Sequence, residues 1–443
     1  MTDRHAELRA IFSAAVAAVE PRAAMLRFLR RDGTRLLVDD WQHDLGAIGR
    51  VVVVGAGKAS TAMAQAVEQV IGNRIDHGVV VVKYGHGAAL TKIQMLEAGH
   101  PVPDAAGETA ARALEDALCG LTANDLVIAC WSGGASALLP APRAGLTLAD
   151  KQETTRLLLA SGGDIAALNA VRKHLSRIKG GQLARRALPA TVWCLAISDV
   201  VGDDPATIGS GPFVGDPTTF ADVDAIIHRL GLRGQLPASV AQVIADGVAG
   251  KIPETPKPGD ASFTHVRYRA IASNAQAITA AATAAKLFGY TPIIWREPLT
   301  GEARAAGATF ASAALHELSK GRRVCMIAGG ETTVTLGKNH GIGGRNQELA
   351  LAAAGVLGAS PWRGAPAPIT ILSGGTDGND GPTDAAGAMV DGTTMARARA
   401  IGLDLEQHLN GHNAYPFFAR LGDLLNTGPT GTNVMDIQVA LVG

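Results

Sequence analysis

Val51-Val52-Val53-Val54-Gly55-Ala56-Gly57-Lys58-Ala59-Ser60 carries an unbroken apolar strand into a glycine turn and on into a segment of helical spacing that reaches residue 71. Four β-branched residues in a row, with no polar alternation, suit a strand covered on both faces, as in a parallel sheet flanked by helices. The same pattern recurs outward from this stretch. Strands are expected over 79–82, 126–130 and 192–197, with helices over 107–118, 150–160 and 165–178. Upstream, Leu8, Ile11, Phe12, Val16 and Val19 recur at helical spacing and predict an opening amphipathic helix that stops before Pro21. Alternation of this kind defines an α/β fold with a mainly parallel sheet.

A chain of 443 residues exceeds what one hydrophobic core usually supports. Pro253, Pro256 and Pro258, interleaved with Lys251, Lys257 and Asp260, make 250–262 the best linker. The expected domains are therefore 1–252 and 262–443. Beyond the linker the alternation restarts, with strands expected at 266–272, 291–295, 324–328, 333–336, 369–372 and 437–442. Helices are expected at 275–288, 301–319 and from 346 onward. No fixed-period repeat of a solenoid is visible.

Composition narrows the function. Lys plus Arg equals Asp plus Glu at 40 each, so no net basic field gathers nucleic acid or an anionic membrane. Hydrophobic residues make up 47% and aromatics only 4%, which leaves Ala, Val and Leu to fill the interior and 53 glycines to shape turns. Cys119, Cys130, Cys194 and Cys325 are widely spaced, with no C-x-x-C pair, and read as reduced thiols. No apolar run reaches the ~18 residues of a membrane span, and a cytoplasmic protein is expected.

The glycines fall where expected strands end: Gly55-Ala56-Gly57-Lys58, Ser132-Gly133-Gly134-Ala135-Ser136, Gly209-Ser210-Gly211, Gly329-Gly330-Glu331 and Ser373-Gly374-Gly375-Thr376-Asp377. In parallel α/β sheets ligands bind beyond the carboxyl ends of the strands, where glycine lets backbone N–H groups approach a phosphate. The first turn is no intact dinucleotide fingerprint. Ser60 takes its third glycine position, and the next strand ends at Lys83-Tyr84 instead of an acidic residue. It is no Walker A loop either, since Val52 stands for the first glycine and Ala59 for the Ser/Thr after the lysine. What remains is Lys58 at the mouth of a glycine turn, a cation able to neutralise a transferring phosphoryl group.

A second cluster, Gly341-Ile342-Gly343-Gly344-Arg345-Asn346-Gln347-Glu348, delivers Arg345 where a helix begins. Its planar donors suit phosphate or carboxylate oxygens, and an Arg tied to a nearby carboxylate as a loop anchor is equally open. Asp199, Asp203 and Asp204 follow an apolar strand, where carboxylates hold Mg²⁺ or simply make a turn; Asp377 presents the same choice. Asn169, Arg172, Lys173 and Ser176 share one helix face, with Lys179 just beyond, as an anion site or a solvated basic face. His100 sits in a proline-rigidified loop and is expected to fix it. No Ser/His/Asp triad is visible.

Taken in order, Gly55 to Ser60, Gly99-His100-Pro101-Val102-Pro103-Asp104, Ser132-Gly133-Gly134, Asn169 to Ser176, Ser198-Asp199-Val200 and Gly343 to Glu348 resemble the glycerate 2-kinases of the MOFRL family, whose bacterial members include proteins labelled hydroxypyruvate reductase. The resemblance spans nearly the whole chain. It implies two α/β/α domains, the first Rossmann-like and the second with a mixed sheet, around an interdomain active-site cleft. It also implies ATP- and Mg²⁺-dependent phosphorylation of the D-glycerate 2-hydroxyl, with Lys58 and Arg345 catalytic. Ala135 departs from the third glycine common in relatives.

The candidate substrate- and phosphate-binding residues are then Gly55, Gly57, Ser132, Gly133, Gly134, Ser136, Arg172, Lys179, Glu331 and Asn346. Asp199 and Asp377 are the candidate metal ligands. Expected partners are D-glycerate and ATP, with no nucleic acid or membrane, and a homodimer is open. The rivals are an NAD(P)H-dependent hydroxypyruvate reductase, which wants the missing fingerprint, and a non-catalytic sugar-acid or nucleotide sensor, which wants an output module.

Overall fold

The computed structural model describes residues 3–443 and divides into two compact units, 21–271 and a second made of the stretch up to Glu20 together with 272–443. Strands β1 (Leu29–Asp32), β2 (Arg35–Val38) and β3 (Trp41–Asp44) form a small antiparallel sheet in the first unit. The main sheet there is built from β4 (Val51–Ala56), β5 (His77–Lys83), β6 (Gln94–Ala98), β7 (Leu126–Trp131), β8 (Thr191–Ile197) and β9 (Val266–Ala272), in the order β6-β5-β4-β7-β8-β9. Every resolved pairing from β6 through β8 is parallel. All residues of β4 and β7 are buried, as two-sided coverage requires.

Strand order fixes where a ligand belongs. From β4 the chain builds outward through β5 and β6 on one side, then crosses back to build β7 and β8 on the other. The order therefore reverses between β4 and β7, and the crevice lies beyond their carboxyl ends. Those ends carry Gly57-Lys58 and Ser132-Gly133-Gly134. Helices start cleanly around them. Asp104 accepts from the Gly107 amide at 2.9 Å to cap Ala105–Ala117, and Asp164 caps Ile165–His174 in the same way.

The second unit holds β10 (Thr291–Ile294), β11 (Val324–Gly330), β12 (Ile369–Gly375), β13 (Gly387–Asp391), β14 (Leu424–Leu425) and β15 (Asp436–Val442), in the order β10-β11-β15-β12-β13-β14. Only β10 and β11 pair in parallel. The last strand inserts antiparallel between β11 and β12, so the sheet is mixed, as expected. Helices Ala303–Ser319 and Arg345–Gly358 pack on it and on each other. They approach closely at Gly307, where a Cβ would collide with the Leu349 carbonyl.

Four expectations need correction. The segment 250–262 is not a free linker: Thr255 donates to buried Asp216 at 3.0 Å, and Pro258 packs on Gly215, so the proline run is part of the first unit. Residues 266–272 form the expected strand, but it is the edge strand β9 beside β8, held by the Val192 amide on the His265 carbonyl at 2.9 Å. The opening helix, Arg4–Ala18, belongs to the second unit, where it packs on Asn274–Leu287. Residues 333–336 form no strand. A single bridge between Glu302 and Thr333 ties down an otherwise irregular loop. No helix among the described residues is long and apolar enough to cross a membrane.

Candidate active site

The first unit locks two glycine turns together. Gly57, at φ +122°, lies so close to Ser132 that a Cβ would collide with its hydroxyl and carbonyl, so only glycine fits. The Lys58 amide donates to the Gly133 carbonyl at 3.0 Å, and the Ala59 amide donates to Ser132 Oγ at 3.1 Å. Ser132 is thereby buried as an acceptor and keeps its own hydroxyl proton for another oxygen. Lys58 stands half-buried on this turn.

Two titratable side chains crowd the next turn. The Asp199 carboxylate lies flat on Gly133, where a Cβ would overlap Oδ2. Burial raises its pKa, while its own backbone amide and the charge of Lys58 pull the other way. The His100 ring packs on Gly134, 3.1 Å from where a Cβ would stand, with Lys58 Cγ at 3.7 Å from the same point. Burial and then Lys58, Lys83 and His86 push this imidazole down to about 4, so it is neutral at pH 7. Lysine, neutral histidine and carboxylate thus gather at the topological switch point. His100, expected only to fix its own loop, packs on this turn.

The remaining candidates of this unit divide. Ser136 Oγ lies 3.0 Å from Ser210 Oγ, which donates to Asn169 at 3.2 Å. Arg172, half-buried one turn beyond Asn169, has no hydrogen-bond or ion-pair partner among the described residues, and burial lowers its pKa. An arginine so placed fits an anion. Lys179 does not. Its ammonium is buried and donates to the carbonyls of Ser136 at 2.8 Å and Leu139 at 3.1 Å, closing the end of the short helix Ala135–Leu138. Lys173 likewise turns inward, 3.4 Å from buried Asp216.

In the second unit Arg345 opens its helix between two carboxylates. Nε and Nη2 bind Asp436 at 2.6 and 3.0 Å, and Nη1 meets Glu331 at 2.9 Å. Burial opposes the charge, but Asp436 and Glu331 outweigh it and hold the guanidinium above its usual range. Gly344 precedes it because a Cβ would collide with Asp380. Asp380 accepts the Asn346 and Gln347 amides at 3.0 and 2.8 Å, capping the helix. Burial drives this carboxyl up to about 7.

Asn346 is turned inward. It is buried, accepts from Ser373 at 2.6 Å and donates to Asp380 at 3.3 Å. Asp377 accepts the Asn379 amide at 3.1 Å in a local turn. No group of three or more metal-binding side chains is gathered among the described residues. Asp436 went unread in the sequence, where it is simply the start of a strand.

Comparison with known proteins decides the family. Residues 7–245 match a domain of unknown function (DUF4147), and residues 324–436 match the MOFRL family. A Pyrococcus horikoshii protein named glycerate 2-kinase is 40% identical over 97% of this chain and 95% of its own. The chain belongs to the MOFRL family of glycerate 2-kinases. A solved glycerate kinase structure from Thermotoga maritima superposes on this kinase-family chain with a TM-score of 0.85, at 37% identity, covering 100% of both. An Agrobacterium vitis relative, 45% identical over 98% of this chain and 94% of its own, carries hydroxypyruvate reductase as a provisional name.

Proposed function

We propose that the protein transfers the terminal phosphoryl group of ATP to the 2-hydroxyl of D-glycerate in the cytoplasm. The observation that carries this is Lys58, held by the Gly133 carbonyl at the switch point of a parallel sheet with Asp199 and His100 beside it. Phosphoryl transfer leaves the protein mainly positioning and charge neutralisation to perform, and a compact ammonium on a rigid backbone turn does both. Arg345 is the candidate cation of the second unit. Its bidentate pair with Asp436 fixes the fork, and the Nη1 edge trades Glu331, an exposed carboxylate, for a phosphate oxygen.

Mg²⁺ belongs to this proposal through Asp199 or, separately in the other unit, through Asp377. One or two carboxylate oxygens suit a Mg²⁺ that keeps its other ligands from nucleotide phosphates and water. Bound there, it supplies neutralisation of the phosphate oxygens.

The reductase alternative is disfavoured by Ser60. Its hydroxyl is buried on the Gly57 carbonyl at 2.9 Å and the Val81 carbonyl at 3.2 Å, at the position where the dinucleotide fingerprint has its third glycine for close helix–strand packing. The test is ADP release from ATP with and without D-glycerate across a Mg²⁺ titration, for the native protein and Asp199→Asn. Glycerate-dependent release, with a raised Mg²⁺ requirement in the variant, is expected. NAD(P)H oxidation by hydroxypyruvate with no ADP release overturns the proposal.

A further inference from the structure

The second unit contains a cavity of about 390 Å³ beside Arg345, walled by the loop that follows β11 and by the glycine loop before helix Arg345–Gly358. We infer that this cavity is the nucleoside subsite, holding the purine and ribose of ATP with the phosphates leaving past Arg345. This inference rests on the kinase activity proposed above.

Size and chemistry select the occupant. Small-molecule sites run from roughly 300 to 1,000 Å³ and are mostly apolar with a few placed polar groups. A glycerate would fill only a fraction of this space and, bearing oxygen on every carbon, has no apolar face to offer. The walls include Val334, Leu336, Pro382 and Ala414. Leu336 is 54% exposed, a large apolar side chain left in water at an edge of the cavity, as a base-stacking surface would be.

The polar groups are few and suited to a purine edge. Thr332 lines the cavity, is 2% exposed, and its hydroxyl has no hydrogen-bond partner among the described residues. Such a hydroxyl is costly unless something meets it. His340 lies 3.0 Å through Nδ1 from the Gly341 carbonyl, which can only accept. The proton is therefore on Nδ1, and in the neutral ring Nε2 is left as an acceptor for an exocyclic amine. At the other end, Gly343 and Gly344 keep the backbone bare next to the Arg345 fork. A polyphosphate there meets the Arg345 cation, the Asn346 and Gln347 amides being taken by Asp380.

Two measurements test the placement. Photolabelling of the unmodified protein with 8-azido-ATP, followed by peptide mapping, should place the label within residues 332–344. Calorimetric titration with ADP should show affinity weakened about tenfold or more by Leu336→Glu, and measurably by the isosteric Thr332→Val, with the KM for D-glycerate changed less than about twofold. Native-like ADP affinity in both folded variants, or label confined to residues 21–271, overturns the subsite while leaving the kinase activity standing. A native protein that binds no ADP at all overturns both.

Discussion

Lys58 and Arg345 are the two cations on which the proposed chemistry depends, and they are held in opposite ways. Around Lys58 the backbone does the holding: amides and carbonyls of residues 56–59 and 132–133 bond to one another, and glycines let the turns touch. Around Arg345 side chains do it, through Asp436 and Glu331. Backbone bonds between the two turns fix where residue 58 sits. A carboxylate clamp fixes orientation more tightly but neutralises the charge it holds, so an incoming anion must displace one partner. Changes at the first site should therefore alter chemistry with little effect on folding, whereas changes at the second should alter both.

The largest effect is expected at Lys58. Lys58→Ala should lower kcat ~10²-fold or more, near 3 kcal/mol of transition-state stabilisation, with the melting temperature nearly unchanged. Lys58→Arg should also be poor, because a planar fork does not replace a compact ammonium. A large loss of thermal stability in Lys58→Ala breaks the contrast.

Asp436→Asn comes next and sharpens the other side. Breaking this pair, buried on the aspartate side, should cost about 2–3 kcal/mol in urea unfolding, and kcat should fall with it. The Arg345 fork would lose its charged partner while Glu331 remains. Full stability with reduced kcat would show Asp436 acting only as a positioning residue.

Gly133→Ala is expected to be smaller and local. The new methyl collides with the Asp199 carboxylate, which must move, so kcat should fall roughly tenfold while Gly72→Ala, a glycine at φ +52° with open space around it, leaves kcat unchanged. Equal kcat in the two variants would argue that Asp199 need not stay where it is.

A further expected effect is a slope in pH. Asp380 has its pKa raised to about 7 by burial, well above the value near 4 of an unfolded aspartate. The folded state thus holds the proton more tightly, and the stability this contributes is present below about pH 4 and lost as pH rises to about 7. Asp380→Asn, which cannot ionise, should gain stability relative to the native protein across that interval. A difference that stays constant between pH 4 and 7 would refute the burial of an ionising carboxyl at this helix cap.

The two sites also differ in how far the sequence exposes them. Lys58 was legible because strand, glycine turn and helix are consecutive, and local pattern alone puts a lysine at the carboxyl end of a parallel strand. The Arg345 clamp was not. Asp436 reaches Arg345 only because β15 inserts between β11 and β12, a pairing that no local pattern encodes. Lys179 and Asn346 read as ligand-facing because a basic or amide side chain beside glycines says nothing about which carbonyls lie behind it. The proline run 250–262 looked like a linker for a related reason: proline stiffens a chain equally well when it packs against a domain. The order of the glycine turns carried most of the fold, and tertiary neighbours decided the rest.

The most direct test of the central claim is the position of the phosphate on the product. Purified protein incubated with ATP, Mg²⁺ and D-glycerate, followed by ³¹P and ¹H NMR, should accumulate 2-phosphoglycerate, with Lys58→Ala accumulating at least ~10²-fold less in the same time. Phosphate on the 3-hydroxyl would contradict the 2-kinase assignment. No phosphorylated product, together with NAD(P)H-dependent reduction of hydroxypyruvate, would contradict the kinase account altogether.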